Sequence, residues 1–138
     1  MLKTQFLILF IGIPGSGKST LAKKWQKGFP YHCDIFEADM YFEKDGQYNW
    51  DPKKLNEAHK WCFDQTENTL KNGGSVIVAN TFLTPSSRKP YIELAKKYNA
   101  KLTVFPCIGE FKNIHGIPQE KVNEMKKKYV PYSKQDEF

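Results

Sequence analysis

A short glycine-rich segment near the start of the chain contains the residue types that bind phosphate. Gly12 to Ser19 is Gly-Ile-Pro-Gly-Ser-Gly-Lys-Ser, which matches the Walker A pattern GxxxxGK[ST]. In such a P-loop, backbone N–H groups surround a chain of phosphates, the lysine reaches the terminal phosphates and the serine hydroxyl ligates Mg²⁺. We therefore predict an ATP and Mg²⁺ site at Gly12, Pro14, Gly15, Ser16, Gly17, Lys18, Ser19 and Thr20.

The position of this segment between a strand and a helix supports the prediction. Phe6 to Ile11 is a continuous apolar run, typical of a strand that is buried on both faces of a parallel sheet. Ser19 to Lys27 contains helix formers, and Gly28 follows as a stop signal. A chance match to the glycine pattern is the alternative, and the flanking strand and helix argue against it.

A carboxylate follows the second predicted strand, Asp34 to Ala38. Because the carboxyl ends of parallel strands meet at one edge of a sheet, Asp39 is expected at the edge that holds the P-loop. There it can accept a proton from a hydroxyl that attacks the γ-phosphate, as a general base. The alternatives are a loop-capping aspartate or a partner of Mg²⁺-bound water, and Glu37 is a second candidate carboxylate.

The third predicted strand, Ser75 to Ala79, lacks the acidic residue that usually follows it in P-loop ATPases. Asn80 stands there instead, and it is a candidate ligand for Mg²⁺, directly or through water, although neutral ligands hold a cation more weakly than carboxylates. A strand end without a metal role is the alternative. The absence of the acid argues against a vigorous hydrolase and fits a site where the nucleotide supplies most of the charge around the metal.

Arg88 is the only arginine of the chain, and it lies in the predicted third helix, just after this strand. A guanidinium there is a candidate clamp for the transferred phosphate, because its planar fork binds phosphate with two hydrogen bonds. A solvent-exposed helix residue is the alternative.

The rest of the chain continues to alternate helix and strand. The predicted elements are a helix from Asp51-Pro52 to about Lys71, a helix over 85–98, a strand over 102–105 and a helix over 118–129. This order predicts one α/β domain over residues 1–138, with a doubly wound, mainly parallel sheet of about four strands and helices on both faces.

Composition narrows the class of protein. The chain has 21 Lys and Arg against 15 Asp and Glu, a formal charge of +6, so its field attracts anions. The apolar start is too short for a membrane span, which predicts a protein without membrane contact. The three cysteines are widely spaced and lack a zinc-ligand pattern. They are expected to be free thiols in a cytoplasmic protein.

Several motifs together resemble the small P-loop kinase family of the phage polynucleotide kinase domain and related domains in eukaryotic ubiquitin-ligase-binding proteins. This family is AAA-type and zeta-toxin-like. The matching segments span nearly the whole chain: 12–20, 38–42, Asp51-Pro52, 58–61, Asn80-Thr81 and 113–118. The resemblance implies ATP-dependent phosphorylation of a 5′-hydroxyl, with Lys18 and Ser19 on ATP and Mg²⁺ and Asp39 as base.

The chain also departs from that family at two places. The family has an aspartate at the position of Asn80, and its basic lid contains arginine. Here the corresponding segment is short, and it offers only Lys112 and His115 as candidates for nucleotide contact. Transition-state stabilisation by a guanidinium is therefore weakened, since lysine is a point charge.

These features predict an ATP-dependent kinase whose acceptor is the 5′-hydroxyl of a nucleic acid. A kinase of a small nucleoside or nucleotide-type acceptor is one alternative, and an ATP-binding switch or adaptor with little turnover is another. Aromatic residues follow Asp39, and they suit either stacking on a nucleobase or packing under a long loop: Tyr41, Phe42, Tyr48 and Trp50. Trp61 is expected to pack rather than stack.

Overall fold

A sheet of four parallel strands forms the centre of the protein, in a computed structural model that describes residues 4–13, 16–107 and 119–137. In chain order the strands are β1 (Phe6–Ile11), β2 (Cys33–Phe36), β3 (Glu43–Lys44), β4 (Gln47–Tyr48), β5 (Ser75–Asn80) and β6 (Lys101–Pro106). The sheet has the order β2-β5-β1-β6, and every neighbouring pair is parallel. Strands β3 and β4 form a separate antiparallel hairpin.

Helices alternate with the parallel strands. They are α1 (Lys18–Gly28), α2 (Leu55–Lys71), α3 (Pro85–Lys97) and α4 (Gln119–Lys128), and short 3₁₀ helices cover Ala38–Phe42, Pro52–Lys54 and Lys134–Glu137. The Asp51 side chain accepts from the Lys53 N–H at 3.0 Å and caps the turn that leads into α2. This alternation confirms the predicted α/β class with a parallel sheet.

Both faces of the sheet are covered, because successive side chains of a strand point to opposite sides. Leu7, Leu9 and Ile11 pack with residues of α2 and α3 on one face. Ile8 and Phe10 pack against α1 on the other face, where Phe10 and Trp25 meet edge to face at 4.9 Å. The run in β1 therefore has no polar position, and each large side chain buried there contributes about 1.5–3 kcal/mol to folding.

The structure differs from the sequence prediction mainly between β2 and α2. The second strand ends at Phe36 and not at Ala38, and residues 38–42 form a 3₁₀ helix. The segment predicted as a loop contains the β3–β4 hairpin, which turns at Asp45 and Gly46 with φ of 53° and 78°. Leu55, the first residue of α2, is 41% exposed.

The remaining boundaries agree with the prediction to within a few residues, and Ile92 and Ala95 of α3 are buried. Among the described residues, no helix has both the length and the apolar character required to cross a membrane.

Candidate active site

The carboxyl ends of the parallel strands bring the chemically active residues to one edge of the sheet. The P-loop follows β1, Glu37 and Asp39 follow β2, and Asn80 ends β5. Backbone hydrogen bonds join these strand ends: the Gly12 N–H donates to the Thr81 carbonyl at 3.2 Å, and the Cys107 N–H donates to the Ile11 carbonyl at 2.7 Å. Hydrogen bonds therefore connect the ends of neighbouring strands along this edge of the sheet, where a ligand can bind.

Two glycines of the P-loop are required by geometry. A Cβ at Gly12 would approach the Cys107 carbonyl oxygen and the Ser16 Oγ to 2.7 Å each, so any side chain there would displace the backbone. Gly17 caps α1 in the left-handed region, with φ of 89°. The loop can therefore bend tightly at the N-terminus of α1, where the helix dipole favours an anion.

Two polar side chains of this loop, Ser16 and Lys18, are arranged for an anionic ligand. The Ser16 Oγ is buried and has no hydrogen-bond partner among the described residues. The Lys18 Nζ donates to the P-loop's own carbonyls, at 2.6 Å from Gly12 and 3.1 Å from Ile13. Phosphate oxygens would satisfy both groups, which fits the bound nucleotide that the motif predicts.

Burial lowers the pKa of Lys18 to about 8, because the charged ammonium loses water. Electrostatic interactions with Cys107, Glu37 and Asp39 raise the pKa of Lys18 and offset part of the effect of burial. A phosphate chain would add negative charge at the same place. The lysine is thus poised to gain a strong partner when a nucleotide binds.

Glu37 is a site residue whose main contact the sequence did not predict. The Ser19 Oγ donates to Glu37 Oε1 at 2.7 Å, which joins the predicted Mg²⁺ ligand to a carboxylate from the end of β2. The sequence suggested Glu37 only as a second candidate carboxylate, behind Asp39, and Asn80 was the candidate considered for the metal besides Ser19. The clue in the sequence is its spacing, since Glu37 and Asp39 lie two residues apart beside a strand end.

Asp39 lies in the first turn of the 3₁₀ helix over 38–42 and is half-buried. Its Oδ1 accepts a hydrogen bond from the Tyr48 hydroxyl at 3.2 Å, so the hairpin orients the carboxylate. Burial and this carboxylate raise the pKa of Tyr48, which keeps the phenol protonated as a donor. Asp39 also raises the pKa of Lys18 through space, which places the two charges in one site.

Asn80 is a bridge between elements. It is buried, its Oδ1 accepts from the Ala38 N–H at 2.9 Å, and its Nδ2 donates to Cys62 Sγ at 3.6 Å. The oxygen that a metal would use is therefore engaged in holding the residue before Asp39. These contacts favour the alternative in which Asn80 has a structural role.

Arg88 differs from the solvent-exposed alternative that the sequence offered. Its side chain is fully buried and not solvent-exposed. The guanidinium donates from Nε to the Phe82 carbonyl at 2.9 Å, donates to the Val130 carbonyl, and lies 5.8 Å from the Tyr129 ring centroid. These contacts tie α3 to the C-terminal segment and favour a structural role for Arg88 over the predicted phosphate clamp.

The positions of the other predicted site residues add little evidence about the nucleotide site. Thr20 is exposed in the first turn of α1. Trp61 packs on Phe36 with ring centroids 6.0 Å apart, as expected for a packing residue. Four predicted contacts lie outside the described residues: Pro14, Gly15, Lys112 and His115.

With this geometry in place, comparison with known proteins identifies the class. Residues 7–131 match the AAA_33 family, described as an AAA domain, and the chain belongs to that family of P-loop kinase-like proteins. This confirms the family resemblance inferred from the motifs.

Two relatives extend the comparison. The chain is 35% identical over 133 residues to NEDD4-binding protein 2 of Homo sapiens, covering 89% of this chain and 8% of that protein. It is 33% identical over 93 residues to a putative bifunctional polynucleotide phosphatase/kinase of Acanthamoeba polyphaga mimivirus, covering 67% of this chain and 18% of that protein. The chain therefore spans less than a fifth of either relative.

Solved structures show the same fold. The Pnkp1/Rnl/Hen1 complex matches 97% of this chain and 42% of its own chain, with a TM-score of 0.62 and 20% identity. The APS kinase CysC of Mycobacterium tuberculosis matches 91% of this chain and 96% of its own, with a TM-score of 0.56 and 16% identity. The fold is thus that of P-loop kinases.

Proposed function

We propose that this protein is an ATP-dependent kinase that phosphorylates the 5′-hydroxyl of a nucleic acid. The observation that carries the proposal is the pairing of a phosphate-binding loop with a half-buried carboxylate, Asp39, which acts electrostatically on the P-loop lysine, Lys18. A protein that only binds nucleotide has no need of a base at this position. The similarity to a viral polynucleotide phosphatase/kinase supports a nucleic-acid acceptor.

The residues present fit ATP with Mg²⁺. The unpartnered Ser16 Oγ and the Lys18 ammonium suit phosphate oxygens, and Ser19 and Glu37 offer the hard oxygen ligands that Mg²⁺ prefers. In this proposal Ser19 would hold the ion, and Glu37 would orient Ser19 through their hydrogen bond. Bound Mg²⁺ would supply charge neutralisation on the phosphates.

The chain's own groups account for the transfer step. Asp39 takes the proton of the acceptor hydroxyl as the oxygen attacks the γ-phosphorus, the new O–P bond forms, and the bond to the β-phosphate oxygen breaks, so that ADP leaves. Lys18 neutralises charge that develops on the phosphoryl oxygens. The Tyr48 hydroxyl donates to one carboxylate oxygen of Asp39 and so orients the proposed base.

A small nucleoside-type acceptor is the second candidate. The segment around Asp39, residues 39–57, contains five carboxylates and three lysines, which is not a surface for a long phosphate backbone. An ATP-dependent switch with little turnover is the third outcome that the same experiment tests. We also propose a cytoplasmic location, because Cys33, Cys62 and Cys107 are free thiols.

The test is transfer of γ-labelled phosphate from ATP to 5′-OH DNA, 5′-OH RNA, nucleosides and nucleoside monophosphates. Label on an oligonucleotide, absent with Lys18→Ala and with 5′-phosphorylated substrate, supports the proposal. Label on nucleosides alone supports the second candidate. ATP binding without label on any acceptor contradicts a 5′-kinase and supports the switch.

A further inference from the structure

A buried cysteine of α2 contacts the residue that holds the segment containing Asp39. Cys62 is fully buried, and its Sγ accepts a hydrogen bond from Asn80 Nδ2 at 3.6 Å. The oxygen of the same amide, Asn80 Oδ1, accepts from the Ala38 N–H at 2.9 Å. Three buried residues from α2, β5 and the 3₁₀ helix therefore form a hydrogen-bonded chain that ends one residue before Asp39.

The two neighbours of Asn80 determine which way its amide faces. The backbone N–H of Ala38 can only donate, so it requires the amide oxygen, and the amide nitrogen is left facing Cys62. A buried amide N–H without an acceptor is unfavourable. The sulfur therefore stabilises the one orientation in which Asn80 holds Ala38.

The surroundings of Cys62 keep its sulfur uncharged and in place. Burial raises the pKa of Cys62, and interactions with the Tyr91 hydroxyl and the Asn80 amide offset part of this effect. The buried Tyr91 ring packs edge to face on Phe63 at 5.4 Å and on Phe82 at 5.3 Å. Aromatic packing between α2, α3 and the segment after β5 thus holds Tyr91 beside a protonated thiol.

A small displacement of this chain would move the proposed base. We propose that Cys62 is a positioning residue: its thiol orients the amide of Asn80, which holds Ala38 and so determines where the 3₁₀ helix presents Asp39. Cys62 contacts neither nucleotide nor acceptor in this proposal. The inference rests on the proposed function, in which Asp39 is the base, and it adds a residue that acts on the transfer step and not on nucleotide binding.

The kinetic test compares two buried cysteines. Cys62→Ala removes the acceptor of Asn80, and kcat for γ-phosphate transfer should fall about ten- to a hundredfold, because a catalytic group displaced by about 1 Å loses up to that factor. The affinity for ADP should stay close to that of the wild type. Cys62→Ser should recover part of the rate, since a hydroxyl also accepts from an amide N–H.

Cys33→Ala is the matched control, because it also removes a buried thiol. The Cys33 Sγ contacts the Asp34 carbonyl at 3.8 Å, and Cys33 begins β2, at the opposite end of that strand from Asp39. Cys33→Ala should keep the wild-type kcat. A loss of kcat in Cys33→Ala equal to that in Cys62→Ala would mean that any lost buried thiol slows transfer, which would overturn the inference.

Hydrogen exchange of the Ala38 amide tests the positioning apart from transfer. In Cys62→Ala, this amide should exchange at least about tenfold faster than in the wild type, because Asn80 no longer holds it firmly. The amide of Ile77, buried in the central part of β5, should keep its rate and so reports on global stability. Wild-type exchange at Ala38 in Cys62→Ala would overturn the inference.

The two proposals fail in different ways. If wild-type protein phosphorylates oligonucleotides and Cys62→Ala keeps the wild-type kcat, Cys62 is not a positioning residue and the 5′-kinase stands. If wild-type protein labels no 5′-OH end, the 5′-kinase itself is wrong.

Discussion

Lys18 combines a charge that phosphate needs with surroundings that disfavour that charge. Burial lowers its pKa to about 8 in the protein without nucleotide. Only the protonated ammonium attracts phosphate, and bound phosphate shifts the pKa back upward. Affinity for ADP should therefore be steady between about pH 7 and 8, fall as the pH rises through 8, and be coupled to proton uptake there.

Calorimetric titration with ADP in two buffers of different ionisation heat measures this uptake directly. Lys23→Ala, which removes an exposed lysine of the same helix, should keep the pH dependence. Equal ADP affinity on both sides of pH 8, without proton uptake, would show that Lys18 does not meet the phosphates.

Glu37 makes a second prediction at the scale of single residues. Its carboxylate accepts from Ser19, so Glu37→Gln should weaken Mn²⁺ binding to the ADP complex about tenfold, as is usual when a partner of a metal ligand is removed. Free Mn²⁺ measured by electron paramagnetic resonance gives this value without any turnover. Glu43→Gln is the control, since Glu43 is an exposed hairpin residue. Unchanged Mn²⁺ affinity in Glu37→Gln would remove Glu37 from the metal site.

The site residues proposed from the sequence are those that local patterns indicate. Lys18 and Ser19 belong to one short motif, and Asp39 follows a strand, so neither prediction depended on distant contacts. The Ser19–Glu37 contact and the contacts of Asn80 join residues 18 and 42 positions apart. Such pairs depend on how the elements pack, and no spacing rule in a single sequence reveals them.

At the scale of elements, the junction after β2 determines where Asp39, the proposed base, lies. Pairing of β2 with β5 ends at Phe36 and Val78, and the Asn80 side chain then takes the Ala38 N–H. This replacement of a strand hydrogen bond by a side chain starts the 3₁₀ helix that contains Asp39. The periodicity of apolar residues predicted the buried strands and long helices correctly, but this junction leaves no periodic signal.

Arg88 gives a prediction about how α3 is attached to the rest of the fold. Arg88→Met keeps most of the apolar stem but leaves the buried Phe82 carbonyl without its donor, which costs about 1–3 kcal/mol of the free energy of unfolding. Phosphate transfer per folded molecule should stay normal at low temperature.

Denaturant unfolding and initial transfer rates test both parts of this prediction. Lys89→Met is the control on the exposed neighbour, and it should leave the unfolding free energy nearly unchanged. A large loss of transfer rate in Arg88→Met, with stability preserved, would return Arg88 to the active site.

For the whole molecule, the parallel sheet explains why residues far apart in sequence act together. All four strands run in one direction, so their carboxyl ends deliver the P-loop, the carboxylates and Asn80 to one edge. The strand and helix order was sufficient to predict this edge. The order of strands and helices did not predict the β3–β4 hairpin, whose Tyr48 contacts Asp39. This hairpin depends on cross-strand pairing of only two residues on each side.

The family relationship establishes the fold and the P-loop kinase-like class over residues 7–131, and it leaves the acceptor as a proposal about the surface around Asp39. Relatives that share the domain are much longer than this chain. The central claim concerns one residue of this domain: we propose that Asp39 is the base for transfer to a 5′-hydroxyl.

The most direct test is the rate of γ-phosphate transfer to a 5′-OH oligonucleotide by Asp39→Asn, compared with Asp45→Asn in the exposed hairpin turn. General base catalysis contributes about 10²–10⁴, so Asp39→Asn should lose at least about a hundredfold in kcat while its ADP affinity persists. Asp45→Asn should transfer normally. Transfer by Asp39→Asn at close to the wild-type rate would contradict the account.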